Sequence, residues 1–284
     1  MSGVSLPFSD AAVIGLGLIG GSVARDLAAH GVRVRAFDAD AAQLDAAVRD
    51  GVVRERLDAS FSGVRGADLV VIAVPVDAAL DVLRRVAPFA ADTRLITDVG
   101  STKARIVALA DELGLNAKFV GSHPMAGDHR SGWSASRAGL FIDAPMYVCP
   151  PRAASDRSLA LTHALWRALG ARTIDIDAVE HDRWLAWTSH LPHMIAVVLG
   201  LTLGEGGVGR DDLGPGGRDM TRIAGSSPEM WTAIGIDNAP EIDRALAVAE
   251  REIHAMRDAL ARRDDAALRR TFVAARAWFD GRAR

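Results

Sequence analysis

The sequence predicts an α/β fold, a doubly wound and mostly parallel sheet, followed by an all-helical domain. Three observations carry this. Short β-branched runs alternate with helix-patterned stretches up to about Ile176, strand signals stop there, and a glycine-rich turn joins the first strand to the first helix. Alternating strands and helices need crossover connections, which place the strands parallel. The boundaries that follow are 1–176 for the sheet domain and 177–284 for the helical one.

Taken in order, the strands are AAVIG (11–15), VRVRAF (32–37), DLVVIAV (68–74), RLITDV (94–99), KFVG (118–121), MYVC (146–149) and TIDI (173–176). The unbroken apolar run LVVIAV suits a strand covered on both faces. Between the strands, SVARDLAAH, DAALDVLRRV and KARIVALADEL repeat apolar residues every three to four positions, the helical period. Beyond Ile176 the same period runs through residues 180–205, 239–264 and 265–281, with a glycine-rich break at 204–220. From Leu191 to Leu203 the helix is apolar all round, so it should be buried, and a second subunit is the natural cover. A homodimer through the helical domain is therefore expected.

Composition excludes several functions. With 49% hydrophobic and 24% charged residues and a net charge of −3, the chain lacks the basic balance of a nucleic-acid binder. No purely apolar run reaches a membrane span and the N-terminus has no signal-peptide pattern, so the cytoplasm is the expected compartment. Cys149 is the single cysteine, which rules out an intrachain disulfide. Of 33 basic residues only Lys103 and Lys118 are lysine. A lysine kept against so strong a bias towards arginine points to a need for lysine itself, and Lys103 lies in DVGSTK.

The chemistry begins at AVIGLGLIGGSVA, where Gly15, Gly17 and Gly20 form G-x-G-x-x-G between a strand and a helix. The first glycine allows the tight turn, the second admits a pyrophosphate against the backbone, and the third lets helix and strand pack closely. Leu18 and Ile19 complete the loop. The next strand ends in Asp38, 18 residues after Gly20, where a carboxylate accepts from an adenosine ribose and repels a 2′-phosphate. This makes the domain Rossmann-type and favours NAD over NADP. Arg35 is close by, but an alternating strand need not turn it the same way. Val74 and Pro75 close another strand at the carboxyl edge, where such sheets bind ligands. Ser101 and Thr102 fall where a helix cap is expected; Ser101 also suits a hydroxyl contact to nicotinamide or substrate. His123, in GSHPMAG, follows KFVG at the same edge, where an imidazole can take a proton from an alcohol as hydride leaves.

These pieces resemble the prephenate/arogenate dehydrogenase family of tyrosine biosynthesis. The matching blocks are GLGLIGGSVA, DVGSTK, GSHPMAG, SHLPH (189–193) and DMTRIAGSSPEMW (219–231), in the family's order and across both domains, with no regulatory domain expected after them. The resemblance implies NAD-dependent oxidative decarboxylation of prephenate, or of arogenate, to an aromatic phenol. It implies His123 as the proton acceptor, Ser101 beside the substrate hydroxyl and Arg222 on the ring carboxylate. It also implies pocket positions for His193 and Trp231. A guanidinium suits Arg222's role because it stays charged and grips a carboxylate at two points; the plain alternative is an ion pair with Asp219. For Trp231 the alternative is a core tryptophan, and His190 reads as a satisfied core histidine. Many relatives carry glutamate two residues beyond GSHPMAG; here Asp128 and then His129 stand there, at the expected substrate mouth.

His190 and His193 lack a third ligand and the H-E-x-x-H pattern, so no metal is expected. β-Hydroxyacid dehydrogenases share the layout but rely on a lysine after the sheet domain, and residues 177–284 contain none. A non-catalytic NAD-sensing protein would not need Ser101, His123 and Arg222 together.

Overall fold

Four largely buried segments pair in parallel, and a short exposed fifth, Glu55–Arg56, adds to one edge. In the computed structural model, which describes residues 6–127 and 130–282, these are β1 (Asp10–Ile14), β2 (Arg33–Phe37), β3 (Glu55–Arg56), β4 (Leu69–Ile72) and β5 (Leu95–Asp98). Their order is β3-β2-β1-β4-β5, all parallel. Side chains alternate across the sheet: Ala11, Val13, Val34 and Val71 enter one core, while Ala12, Ile14, Val70 and Ile72 enter the other. Each fully buried aliphatic side chain contributes roughly 1.5–3 kcal/mol. Helices α1 (Leu18–Ala29) and α2 (Ala41–Arg49) follow β1 and β2, and α3 (Val76–Val86) and α4 (Ala104–Glu112) follow β4 and β5. Because β1 lies between β2 and β4, the chain reverses direction across the sheet there. The crevice this opens at the carboxyl ends is the ligand position of doubly wound sheets.

A second sheet holds β6 (Gly121–Pro124), β7 (Pro145–Cys149) and β8 (Arg172–Asp175), with α5 (Asp156–Ala168) before β8. β6 is antiparallel to β7, and β7 is parallel to β8. The expected strand 118–121 is displaced. Phe119 makes an isolated parallel bridge to Ile96, continuing the first sheet, and pairing with β7 starts only at Gly121. His123 thus stands within a buried strand, opposite Tyr147, rather than beyond a strand's end. The apolar pair Phe119-Val120 marks the change of partner instead of the strand itself. A Cβ at Gly121 would lie 3.2 Å from the Cys149 carbonyl, so the smallest residue eases the crossing.

The helical part contains α6 (Ala178–Leu185), a π-turn (Ala186–His190), α7 (Leu191–Glu205), α8 (Pro215–Thr221), α9 (Pro228–Asp237), α10 (Ala239–Ala261) and α11 (Asp265–Phe279). α6 packs on α4 and α9 on α3, which seats this part over the crevice. Of α7 only Ala196 is buried in the single chain, and Leu201 is 67% exposed. The expected burial is therefore not reached within one protomer. Helix from Ala178 to Glu205 is continuous over 28 residues and holds an 18-residue window of mean hydropathy 1.2, so length and composition alone would permit a membrane span. Residues 191–203 alone are shorter than a span, and the helix that continues on either side of them supplies the length.

Candidate active site

The glycine loop has the shape its spacing requires. Gly15 adopts φ +96°, and a Cβ there would sit 2.4 Å from the Ala73 carbonyl oxygen. A Cβ at Gly20 would meet the Gly15 carbonyl oxygen at 2.0 Å, so both positions exclude a side chain. Around Gly17, at the N-terminus of α1, a Cβ would meet nothing within 4 Å, which leaves open space where a pyrophosphate fits against backbone N–H groups. Asp38 ends β2 beside this loop: Oδ2 accepts from the Leu16 N–H at 2.6 Å and Oδ1 from the Asp40 N–H at 2.8 Å. Arg35 is turned away, its Nε on Asp10 at 2.8 Å and its Nη1 on the Gly63 and Arg65 carbonyls. Leu18 and Ile19 are half-buried in the first turn of α1 against the core, Val74 is half-buried, and Pro75 precedes α3.

Where the sheet edge meets the helical part, an open cleft of about 260 Å³ is lined by Ser101, His123, Met125, Ser189, His190, Met230 and Trp231, among others. Three separated sequence candidates, Ser101, His123 and Trp231, thus line one cleft. His193 does not line the cleft but stacks on Trp231 at a centroid distance of 3.7 Å. Burial lowers its pKa, a bond to the Ser189 carbonyl opposes this, and the nearby Arg222 charge lowers it further. Arg222 itself is exposed and 3.7 Å from Asp219, so the ion pair is present. His129 lies outside the described residues.

The π-turn shapes this cleft. Pro192 lacks the N–H that would bind the Thr188 carbonyl and its ring crowds that position, and the helix widens just upstream. The widened turn sets Ser189 and His190 on the cleft side. His190 is nearly fully buried, and Asn238 Nδ2 donates to its Nδ1 at 3.2 Å and to the Asp182 carbonyl at 2.8 Å. Burial pushes the His190 pKa down to about 4.

Sequence reasoning missed the surroundings of His123. Its Nδ1 lies 2.9 Å from His181 Nε2, and His181 Nδ1 lies 2.8 Å from Asp182 Oδ1. Asp182 also accepts the N–H groups of Lys103 and Ala104, both at 2.8 Å, and so caps α4. Ser101 and Thr102 are not the cap; Thr102 Oγ1 instead donates to Asp237 Oδ2 at 2.6 Å. The reason is spatial: α6 brings a full carboxylate to the exposed N–H groups, leaving Ser101 free for the cleft. Lys103 Nζ is buried against Asp98 Oδ2, which also accepts from the Gly100 N–H at 2.8 Å, and this pair braces the turn that carries Ser101. Burial raises the Asp98 pKa and Lys103 opposes it. His123 is depressed well below the usual histidine range, first by burial, then by the neighbouring His181 and Lys103. The only sequence signal for this cluster was the unusual lysine and an adjacent His-Asp pair early in a helix.

Comparison with known proteins gives the arrangement its family. The profile described as prephenate dehydrogenase, nucleotide-binding domain, matches residues 23–175, and that described as prephenate dehydrogenase, dimerization domain, matches 177–274. The chain belongs to the prephenate dehydrogenase family. It is 36% identical over 279 residues to the prephenate dehydrogenase of Bacillus subtilis (strain 168), covering 94% of this chain and 74% of that one. It is 34% identical to the cyclohexadienyl dehydrogenase of Zymomonas mobilis, covering 90% of each. The crystal structure of prephenate dehydrogenase from A. aeolicus, in complex with hydroxyphenyl propionate and NAD+, superimposes with a TM-score of 0.87 at 26% identity, covering 98% of this chain and 99% of that one. The chain is thus a prephenate dehydrogenase family oxidoreductase, which removes the β-hydroxyacid dehydrogenase and NAD-sensor alternatives.

Proposed function

We propose that this protein oxidises and decarboxylates prephenate to 4-hydroxyphenylpyruvate with NAD+, as a cytoplasmic homodimer. The observation that carries this is His123: a buried imidazole that lines a cleft between the dinucleotide-type edge and the helical part, with Ser101 lining the same cleft. Residues 1–176 act as the NAD-binding domain and 177–284 as the substrate and dimerisation domain.

NAD+, when bound, accepts the hydride from the carbinol carbon. Gly15, Gly17, Leu18, Ile19 and Gly20 would hold its pyrophosphate, Asp38 would accept from the adenosine ribose, and Val74, Pro75 and Ser101 would border the nicotinamide end. His123 has Nδ1 engaged with His181, so Nε2 is the atom that takes the substrate hydroxyl proton. Ser101 donates to the same oxygen and orients it. As hydride and proton leave, the bond to the ring carboxylate breaks, its electron pair enters the ring, and carbon dioxide departs. Aromatisation drives the step. Arg222 holds the ring carboxylate as a fork of donors; Trp231 lines the cleft with His193 stacked on it, and the resemblance assigns His129 to substrate choice.

Prephenate is favoured over arogenate because arogenate adds an ammonium that calls for a carboxylate. Past GSHPMAG the sequence carries His129 and Arg130 where an acid could have stood, and of Asp128 to Ser131 only Asp128 is acidic. The cyclohexadienyl dehydrogenase relative makes the comparison worth measuring. The test follows NADH and NADPH formation with prephenate and with arogenate in all four pairings. Prephenate with NAD+ should give the highest kcat/KM; a higher value for arogenate overturns the substrate assignment.

A further inference from the structure

The chain of contacts behind His123 has a direction, and that direction determines which ring nitrogen faces the cleft. Backbone N–H groups only donate, so Asp182, which receives Lys103 and Ala104 at 2.8 Å, presents both oxygens as acceptors. A carboxylate is also the form favoured at the positive end of a helix, here the start of α4. His181 Nδ1, 2.8 Å from Asp182 Oδ1, must then carry the hydrogen. His181 is completely buried, and burial disfavours its charged form. In a neutral ring with hydrogen on Nδ1, Nε2 holds a lone pair and can only accept. His123 Nδ1, 2.9 Å away, must therefore donate to it.

We propose that His181 and Asp182 are positioning residues that hold His123 in the Nδ1–H tautomer, so that its Nε2 lone pair faces the substrate hydroxyl. This rests on the reading of His123 as the base. The Nδ1–H form is the less populated tautomer of a free imidazole side chain, and the opposite tautomer would offer the substrate an N–H where an acceptor is needed. The hydrogen bond made by one ring nitrogen selects the role of the other. Asp182 adds a second effect: by capping α4 it ties this selection to the turn carrying Ser101, so the base and the orienting hydroxyl are set by one carboxylate. The step needs no further reactant. The hydroxyl proton passes to Nε2, and the resulting imidazolium keeps its Nδ1–H bond to His181.

The experiment uses the full chain, labelled with 15N and saturated with NAD+, and reads the two-bond 1H–15N imidazole correlations at neutral pH. His123 and His181 should each show a protonated Nδ1 and an unprotonated Nε2. A wild-type spectrum with the proton on His123 Nε2 overturns the proposal, and that result needs no variant to fold. His181→Leu removes the acceptor and should lower kcat by about 10²–10⁴-fold, the range set by losing a correctly placed base, with KM for NAD+ unchanged. His181→Gln, whose carbonyl reaches the position of the lost Nε2, should recover most of that turnover and the Nδ1–H tautomer. Wild-type turnover in His181→Leu overturns the proposal. The tautomer reports the relay, whereas turnover of His123→Asn reports the base, so failure of one is distinguishable from failure of the other.

Discussion

The imidazole of His193 lies on the indole of Trp231, ring centroids 3.7 Å apart and planes 25° from parallel. Trp231 also meets His190 edge-on at 5.9 Å, and its Nε1 is buried with no hydrogen-bond partner among the described residues. The indole therefore joins two histidines of the π-turn region to the cleft and keeps one donor unused. Aromatic pairs of this kind are worth about 0.5–1.5 kcal/mol. Trp231→Leu should raise KM for the cyclohexadienyl substrate roughly threefold to tenfold, with KM for NAD+ unchanged. Steady-state kinetics with each substrate varied decides it; an unaltered KM would remove Trp231 from the pocket.

His123→Asn keeps a polar side chain in β6 but supplies no base. Turnover should fall by about 10²–10⁴-fold while NAD+ affinity, measured by fluorescence titration, stays near wild type. A variant with near-normal kcat would show that another group takes the proton.

Acid should act on activity and stability at different points. Burial, the main cause, lowers the His123 pKa well below the ordinary value of 6.5, so the base keeps its lone pair further into acid than a free histidine does. The acid limb of kcat/KM should accordingly lie below 6.5; a limb at or above it contradicts the burial argument. For stability the sign follows from proton counting. Unfolded histidines bind protons below about pH 6.5 whereas buried His190 does so only near 4, so the unfolded chain gains protons first. Stability is complete above 6.5 and is lost as pH falls from there towards 4, on the order of 3 kcal/mol from His190. Urea unfolding at pH 7.5 and pH 5 measures the loss, and equal stability at both would contradict it.

At the cofactor end, Asp38 carries the discrimination. Asp38→Ala removes the ribose acceptor and the repulsion of a 2′-phosphate, and also frees the Leu16 N–H. The NAD+ preference in kcat/KM should shrink by roughly tenfold or more, the size of a lost bond to a charged group. An unchanged NAD+/NADP+ ratio would mean that Asp38 does not face the ribose.

The helical part leaves a wide apolar surface: Leu201, Phe272, Trp278 and Phe279 are 67%, 65%, 74% and 75% exposed. Exposed large apolar side chains in this number point to an interface, and a second copy is the expected cover. Light scattering at micromolar concentration should give twice the 30.1 kDa of one chain. Phe272→Glu together with Leu201→Glu should halve that mass, whereas a wild-type monomer would refute the assignment.

The sequence by itself determined the alternation that makes a parallel sheet, the glycine loop with Asp38 at the next strand's end, and the motif carrying His123. Those features are local: period, turn chemistry and short spacings survive in one dimension. Tertiary structure alone decided which strand His123 joins, what caps α4 and what sits behind the imidazole. His123 and His181 are 58 positions apart, and Lys103 and Asp182 are 79 apart. No periodicity links such residues, because the contact arises only when α6 packs over α4 and brings a buried carboxylate to backbone N–H groups that must be paired. The exposure of α7 was decided the same way: its apolar sequence demands cover, but packing in one protomer reaches only Ala196.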